Sequence, residues 1–436
     1  MLTTEPMAEL HDALAAPRPR RGFSVGALID MEAARAALWP FLATRLVFIL
    51  IGMAAPLLYV AHATRQQPAH SGWVQWDAQW FIATAEHGYP YKLFSDRAYS
   101  TTAFFPLYPL LIRLVSLTGL SIDAAALLIP NVAFLGALYY LYRLVRLDYP
   151  AAVATRALWL LALFPTAIVF FIPYTESLYV LLAVLTLWHL RRRQWLAAGI
   201  AGALGALTRQ SGIVLALPYL VEWYAYRGER REARGDSGWA MGDAETRLDG
   251  QAHAFRAYSR LSPLASRLAP VALMPLAVAA HLALLWLLTG SPTAFLTVQR
   301  AWHRRLDWPW AGIIATVQRW NLPDNTGHQV HIVVELATLA LFLPLLVVGL
   351  RRAPIRPSYT VYAAAVWLAA LISPAIADNY WLPIMSSSRF ALSVFPTFIL
   401  LALLLRRPSA YQAWLTVSAM ALSFWAAYYV LGGWVA

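Results

Sequence analysis

LWPFLATRLVFILIGMAAPLLYVA, residues 38–61, is an apolar run of the length a helix needs to cross a bilayer. Comparable runs recur to the end of the chain, at about 268–289, 330–350, 359–376, 389–405 and 410–432. A soluble fold would have to bury every one of them. The 436 residues are 60% hydrophobic and 13% charged, against roughly 25% charged in soluble domains. The sequence therefore predicts an all-α polytopic membrane protein.

The net charge of +12 comes from arginine, because Lys92 is the only lysine. Most arginines flank apolar runs, at RPRR (18–21), RRR (191–193), RGERREAR (227–234), RRAPIR (351–356) and RR (406–407). Basic clusters at the ends of spans hold loops in the cytoplasm, so the charge reads as orientation and not as nucleic-acid binding. No cysteine is present, which excludes disulfides and thiolate metal sites. The Ala, Leu and Arg bias suits a bacterium with a GC-rich genome, and the expected location is its plasma membrane.

With the basic amino terminus inside, residues 1–37 form a cytoplasmic segment and 62–120 a first external loop. The stretch FFPLYPLLIRLVSL (104–117), with its two prolines, reads as an interfacial or re-entrant helix rather than a crossing. Residues 157–173 run outward and 177–190 return. Residues 195–224 lie between basic segments and must cross an even number of times, which two short helices meeting at TRQSG (208–212) satisfy. The glycines of GIAGALGAL (199–207) suit close helix packing. The expectation is about 11 transmembrane helices: a catalytic module at 38–226, a cytoplasmic loop at 227–262, and a second module at 263–436 with external loops 291–328 and 377–388. WPWAGIIATVQRW (308–320) can form an amphipathic helix in the external region.

This topology gathers costly polar residues at one face. Asp77 stands among Trp73, Trp76, Trp80 and Phe81 in the first external loop with Glu86; Glu176 follows the third span; Arg209 lies between the two short helices; Arg389 begins the tenth span. Each has an ordinary explanation. Asp77 and Glu176 can charge the first turn of a helix, the arginines can snorkel, and the tryptophans can form an interfacial belt. Convergence of two acids and two arginines at one boundary points instead to a site. Glycosyl transfer from a lipid-linked phosphosugar needs such a set: a carboxylate to take the acceptor proton and guanidiniums to balance phosphate charge. Phe390, beside Arg389, would flank the prenyl chain.

WDAQWFIATAEHGYP (76–90), AFFPLYPLL (103–111), FPTAIVFFIPYTESLYVLLAVLTL (164–187) and GALGALTRQSGIVLALPYLVEW (202–223) together resemble the PIG-V family, the mannosyltransferases that add the second mannose in GPI anchor assembly, and their bacterial relatives. The resemblance implies a GT-C type fold with amphipathic helices in the external loops. It implies a polyprenyl- or dolichyl-phosphate-mannose donor, inversion to an α-mannoside, and a base that falls on Asp77. Arg209, Arg389 and Phe390 are then expected to hold the donor phosphate and lipid. Trp76, Trp80, Glu86, His87, Phe105, Tyr174, Glu176 and Gln210 are expected to bind substrate. No metal or other cofactor is expected, and the expected partners are membrane lipids, the donor lipid and a glycolipid or cell-envelope glycan acceptor, with no nucleic acid. A transporter or flippase of lipid-linked sugars would predict repeats and mid-bilayer polar residues. A non-catalytic envelope scaffold would predict that Asp77 is dispensable.

Overall fold

The computed structural model describes residues 30–59, 72–90, 100–232, 265–320, 329–352, 355–377, 382–384 and 386–435. The basic segment ahead of residue 30, most of the 227–262 loop and parts of the 62–120, 291–328 and 377–388 loops lie outside the described residues.

In chain order the helices are α1 (Met31–Tyr59), α2 (Asp77–His87), α3 (Leu107–Ser116), α4 (Ile122–Val145), α5 (Ala151–Ala162), α6 (Glu176–Arg191), α7 (Trp195–Thr208) and α8 (Ala216–Glu232). They continue as α9 (Leu273–Thr289), α10 (Ala294–Ala301), α11 (Ala311–Gln318), α12 (Gln329–Arg352), α13 (Pro357–Leu371), α14 (Ser387–Ser393), α15 (Phe395–Leu404) and α16 (Pro408–Val430). Among the described residues the one β feature is an isolated bridge between Arg304 and Ala375.

Among the described residues five helices are long and apolar enough to cross a membrane: Met31–Ala54, Ile122–Val145, Ala265–Thr289, Gln329–Arg351 and Pro408–Val430. The bent pair α14–α15 makes a sixth if counted as one span. The protein is thus a multi-pass membrane protein. The count of about eleven also included α6, α8, α13 and other shorter helices, which at 1.5 Å per residue fall short of a hydrocarbon core of about 30 Å.

Two expected spans are not continuous helices. The outward run at 157–173 stops at Ala162 and continues as a buried irregular segment with a 3₁₀ turn at Ala167–Phe170. Pro165 and Pro173 explain the break, since neither can donate an amide hydrogen bond. Irregular backbone at this depth needs partners from the protein. Arg45 of α1 supplies one, donating from Nη2 to the Phe170 carbonyl (2.7 Å) and from Nε to Asn131 Oδ1 (2.9 Å). Asn131 Nδ2 in turn donates to the Phe171 carbonyl (3.0 Å). The tenth span breaks by 81° between α14 and α15, where Pro396 cannot extend the preceding helix.

The segment 104–117 forms the ten-residue α3, too short to cross. Residues 195–224 form α7 and α8 joined by a 3₁₀ turn at Gln210–Leu215. α8 runs on to Glu232, into the stretch read as a loop. The α7 glycines do allow close packing: a Cβ at Gly199 would meet Pro270, and one at Gly202 would overlap Met274. Gly212 is required for the turn, because its Cβ would lie 2.2 Å from the Gly205 carbonyl oxygen. α6 packs against both α4 and α7, which carries the start of α6 and the end of α7 to the same end of the bundle.

Candidate functional site

Asp77 opens α2. The residue before it, Trp76, has a left-handed φ of 56°, a strained value for a bulky residue. The segment after α16 holds it there: Trp76 Nε1 donates to the Gly433 carbonyl (3.1 Å). The Gln75 amide donates to Tyr429 Oη (3.2 Å), and Tyr429 Oη donates to the Gln75 carbonyl (3.0 Å). α2 then buries Phe81 edge-on against Phe104 and Tyr108. Tyr89 ties off the loop after α2 by donating to the Phe104 carbonyl (2.8 Å), and burial raises its hydroxyl pKa. Asp77 is thereby fixed in the lining of a cavity of about 860 Å³, within the usual size range of small-molecule sites.

Glu176 is the first residue of α6 and is fully buried. Its Oε1 accepts from Arg389 Nε (2.9 Å), is 2.8 Å from Arg389 Nη2, and also accepts from Arg209 Nη1. Arg389 Nη1 donates to Asp77 Oδ2 at 2.8 Å. One guanidinium therefore bridges two carboxylates from segments far apart in sequence, and a second guanidinium shares one of them. Tyr174 lies under this bridge, with Arg389 Cζ 4.6 Å from its ring centre, and Arg209 Cζ stands 5.5 Å from the ring of Phe390. Two acids and two arginines balance in charge, which lessens the cost of burying them.

Asp77, Trp76, Trp80, Phe105, Arg209, Gln210, Arg389 and Phe390 all line the cavity. Glu176 and Tyr174 stand behind it as buried supports. Glu86 and His87 are exposed at the far end of α2, 3.7 Å from each other, and do not line it. Their removal from the site follows from helix geometry, since nine or ten residues at 100° each carry the side chain round and along by over two turns.

Other lining residues did not stand out in the sequence. Gln79 and Phe104 come from the first loop region, Gln299, Trp302 and Arg304 from α10 and the turn after it, His331 and Tyr428 from the distant helices α12 and α16, and Trp434 from the segment after α16. Trp80 meets Trp302 edge-on at 6.3 Å and stacks with Phe104 at 6.1 Å. His331 lies 4.8 Å from Trp425 and 5.8 Å from Trp434 between ring centres. Aromatic faces with interspersed amides suit a ligand that is both apolar and hydroxylated. The signal for most of these residues is spatial, because aromatic residues at membrane interfaces are common.

A many-helix membrane protein with a buried acid–arginine cluster opening on an aromatic cavity is the class that fold and site define. Residues 47–222 match the family described as Mannosyltransferase (PIG-V). The matched segment contains Asp77, Glu176 and Arg209 but not Arg389. GPI alpha-1,6-mannosyltransferase 2 of Rattus norvegicus is 32% identical over 155 residues, which are 33% of this chain and 30% of that protein. The chain thus aligns with less than a third of that relative's length. Among solved structures, the apo form of the Archaeoglobus fulgidus oligosaccharyltransferase is similar with a TM-score of 0.43 at 13% identity, over 91% of this chain and 54% of that one. Its complex with zinc and sulfate gives 0.41 at 14% identity, over 87% and 53%.

Proposed function

We propose that the protein is an inverting α-mannosyltransferase of GT-C type. It would take mannose from a polyprenyl- or dolichyl-phosphate-mannose donor and transfer it to a glycolipid or cell-envelope glycan at the external face of the membrane. The observation that carries this reading is the Asp77–Arg389–Glu176–Arg209 cluster at an aromatic-lined cavity, in a chain whose residues 47–222 match the mannosyltransferase (PIG-V) family.

In this mechanism an acceptor hydroxyl loses its proton to Asp77 as its oxygen bonds to the anomeric carbon of mannose. The bond from that carbon to the phosphate oxygen breaks, and the polyprenyl phosphate leaves with the bonding pair. Guanidiniums meeting the phosphate would stabilise that charge. Arg389 and Arg209 already spend donors on Asp77 and Glu176, so a bound phosphate must compete for them. Arg304, at the same cavity, is a further cation within the site. Among the described residues that line the cavity Asp77 is the one carboxylate, which accords with inversion by analogy with glycosidases.

The reading is tested by supplying purified protein with radiolabelled polyprenyl-phosphate mannose and a membrane lipid extract. Label in a new glycolipid supports it. Label that only crosses the bilayer on an unchanged donor lipid points to a flippase instead.

A further inference from the structure

α14, which carries Arg389, has seven residues and is cut off from α15 by the 81° bend. A helix this short has little stability of its own. Ser386 before it has a left-handed φ of 61° and makes no side-chain cap bond. Something outside the helix must therefore fix the position of Arg389.

Ser388, the residue before Arg389, is held at all three of its polar groups. Its amide donates to Glu335 Oε2 (2.8 Å) and its hydroxyl to Glu335 Oε1 (2.7 Å). Its carbonyl accepts from Thr166 Oγ1 (3.2 Å). Glu335, Ser388 and Thr166 are all buried. Glu335 sits on α12, and Thr166 in the irregular segment between α5 and α6, so the clamp reaches from two unrelated elements. An acid inside an apolar helix is expensive, and here both its oxygens are satisfied by one serine.

We propose that Glu335, through Ser388, is a positioning residue that sets the Arg389 guanidinium between Asp77 and Glu176. The inference rests on the functional reading above for its catalytic consequence, but not for its structural one. Guanidinium bonds of 2.8 and 2.9 Å to two different acids tolerate little displacement of the arginine backbone, and misplacement by about 1 Å can cost on the order of 10²-fold in rate.

Glu335→Gln and Glu335→Ala separate this role from any need for charge. A glutamine can accept from the Ser388 amide through Oε1 and donate to the Ser388 hydroxyl through Nε2, keeping both contacts. An alanine keeps neither. Two readouts are taken on protein in detergent or nanodiscs: mannosyl transfer, and modification of Arg389 by phenylglyoxal, located by mass spectrometry. Expected are wild-type protection of Arg389 in Glu335→Gln, with kcat/KM within about threefold. In Glu335→Ala, Arg389 becomes reactive and kcat/KM falls by at least about tenfold, the loss appearing mainly in the KM for donor. Ser388→Ala, which removes only the hydroxyl contact, should give an intermediate gain of Arg389 labelling and serves alone if Glu335→Ala does not fold.

Protection unchanged in both Glu335→Ala and Ser388→Ala overturns the proposal. So does an inactive Glu335→Gln with Arg389 still protected, since the charge itself would then be required. If labelling follows expectation but wild-type protein transfers no mannose, the positioning role stands and the functional reading fails.

Discussion

The protein has ion clusters at both ends of its helix bundle, and they are built differently. At the basic end Arg191 forks onto both oxygens of Asp148, at 2.5 and 2.8 Å, and its Nη1 also donates to Tyr359 (2.9 Å). Arg356 forks onto Glu222 at 3.1 and 3.2 Å, and Ser358 donates to the same carboxylate at 2.6 Å. Each arginine there has its own acid, and none of these residues lines the large cavity. At the other end Arg389 divides its donors between Asp77 and Glu176, Arg209 shares Glu176, and the cluster opens on the cavity. One-to-one bidentate pairs act as struts between helices. Divided pairs beside a cavity can exchange a partner for a ligand at modest cost. The presence of buried ions does not by itself mark a site; their connectivity does.

The largest expected effect is on Asp77. Asp77→Asn should lower kcat by about 10²-fold or more, while Glu86→Gln, outside the cavity, should leave turnover near wild type in the same steady-state assay. The opposite pattern would move the base to Glu86.

Arg389→Lys comes next. Lysine keeps the charge but cannot bridge two carboxylates and a phosphate with a planar fork. Donor affinity, measured by titrating labelled donor lipid into nanodiscs, should weaken by about tenfold, with expression and membrane insertion unchanged. Arg389→Lys and Arg389→Ala that both bind donor like the wild type would leave the phosphate to Arg209 or Arg304.

The comparison of ends is sharpened by stability. Glu176→Ala leaves the buried Arg389 and the half-buried Arg209 short of a carboxylate and should destabilise by about 3–5 kcal/mol. Glu229→Ala breaks a pair with Arg193 at the basic end in which both side chains are more than half exposed, and should cost about 1 kcal/mol or less. Thermal denaturation of both variants in the same detergent checks the difference. Equal losses would remove the distinction between a buried shared cluster and a surface pair.

The smallest expected effect is that of EDTA, which should leave transfer unchanged because arginines are available to meet the phosphate. Activity lost to EDTA and restored by manganese or magnesium would mean that the acids hold a metal instead.

Much of this organisation is legible in residue order. Long apolar runs announce α1, α4, α9, α12 and α16; paired prolines mark α3 as too short to cross; and TRQSG between two apolar stretches marks the turn at Arg209. Alternation of spans also assigns Asp77, Glu176, Arg209 and Arg389 to one face, where the structure brings them into a single network. The partners within that network are not legible. Depth along a membrane normal follows from helix order, but lateral distance does not, so arginines read as phosphate ligands turn out to be bonded to the acids as well. Glu335 was missed for another reason. It lies inside the apolar run of α12, where a count of hydropathy outweighs a lone acid, although an isolated carboxylate in a span is itself a signal. Glu86 and His87, expected with Asp77 in the site from the resemblance, lie outside the cavity because a helix turns nearness in sequence into separation in space.

In the proposed reaction Asp77 deprotonates an acceptor while the arginines hold the donor phosphate. Single-turnover transfer from radiolabelled polyprenyl-phosphate mannose to membrane lipid, run side by side on wild-type protein and Asp77→Asn at equal donor occupancy, tests it most directly. A labelled α-mannoside is expected from the wild type, with at least about a 10²-fold slower appearance from the variant, which still binds donor. Equal rates from the two proteins, or no labelled acceptor from either, would contradict it.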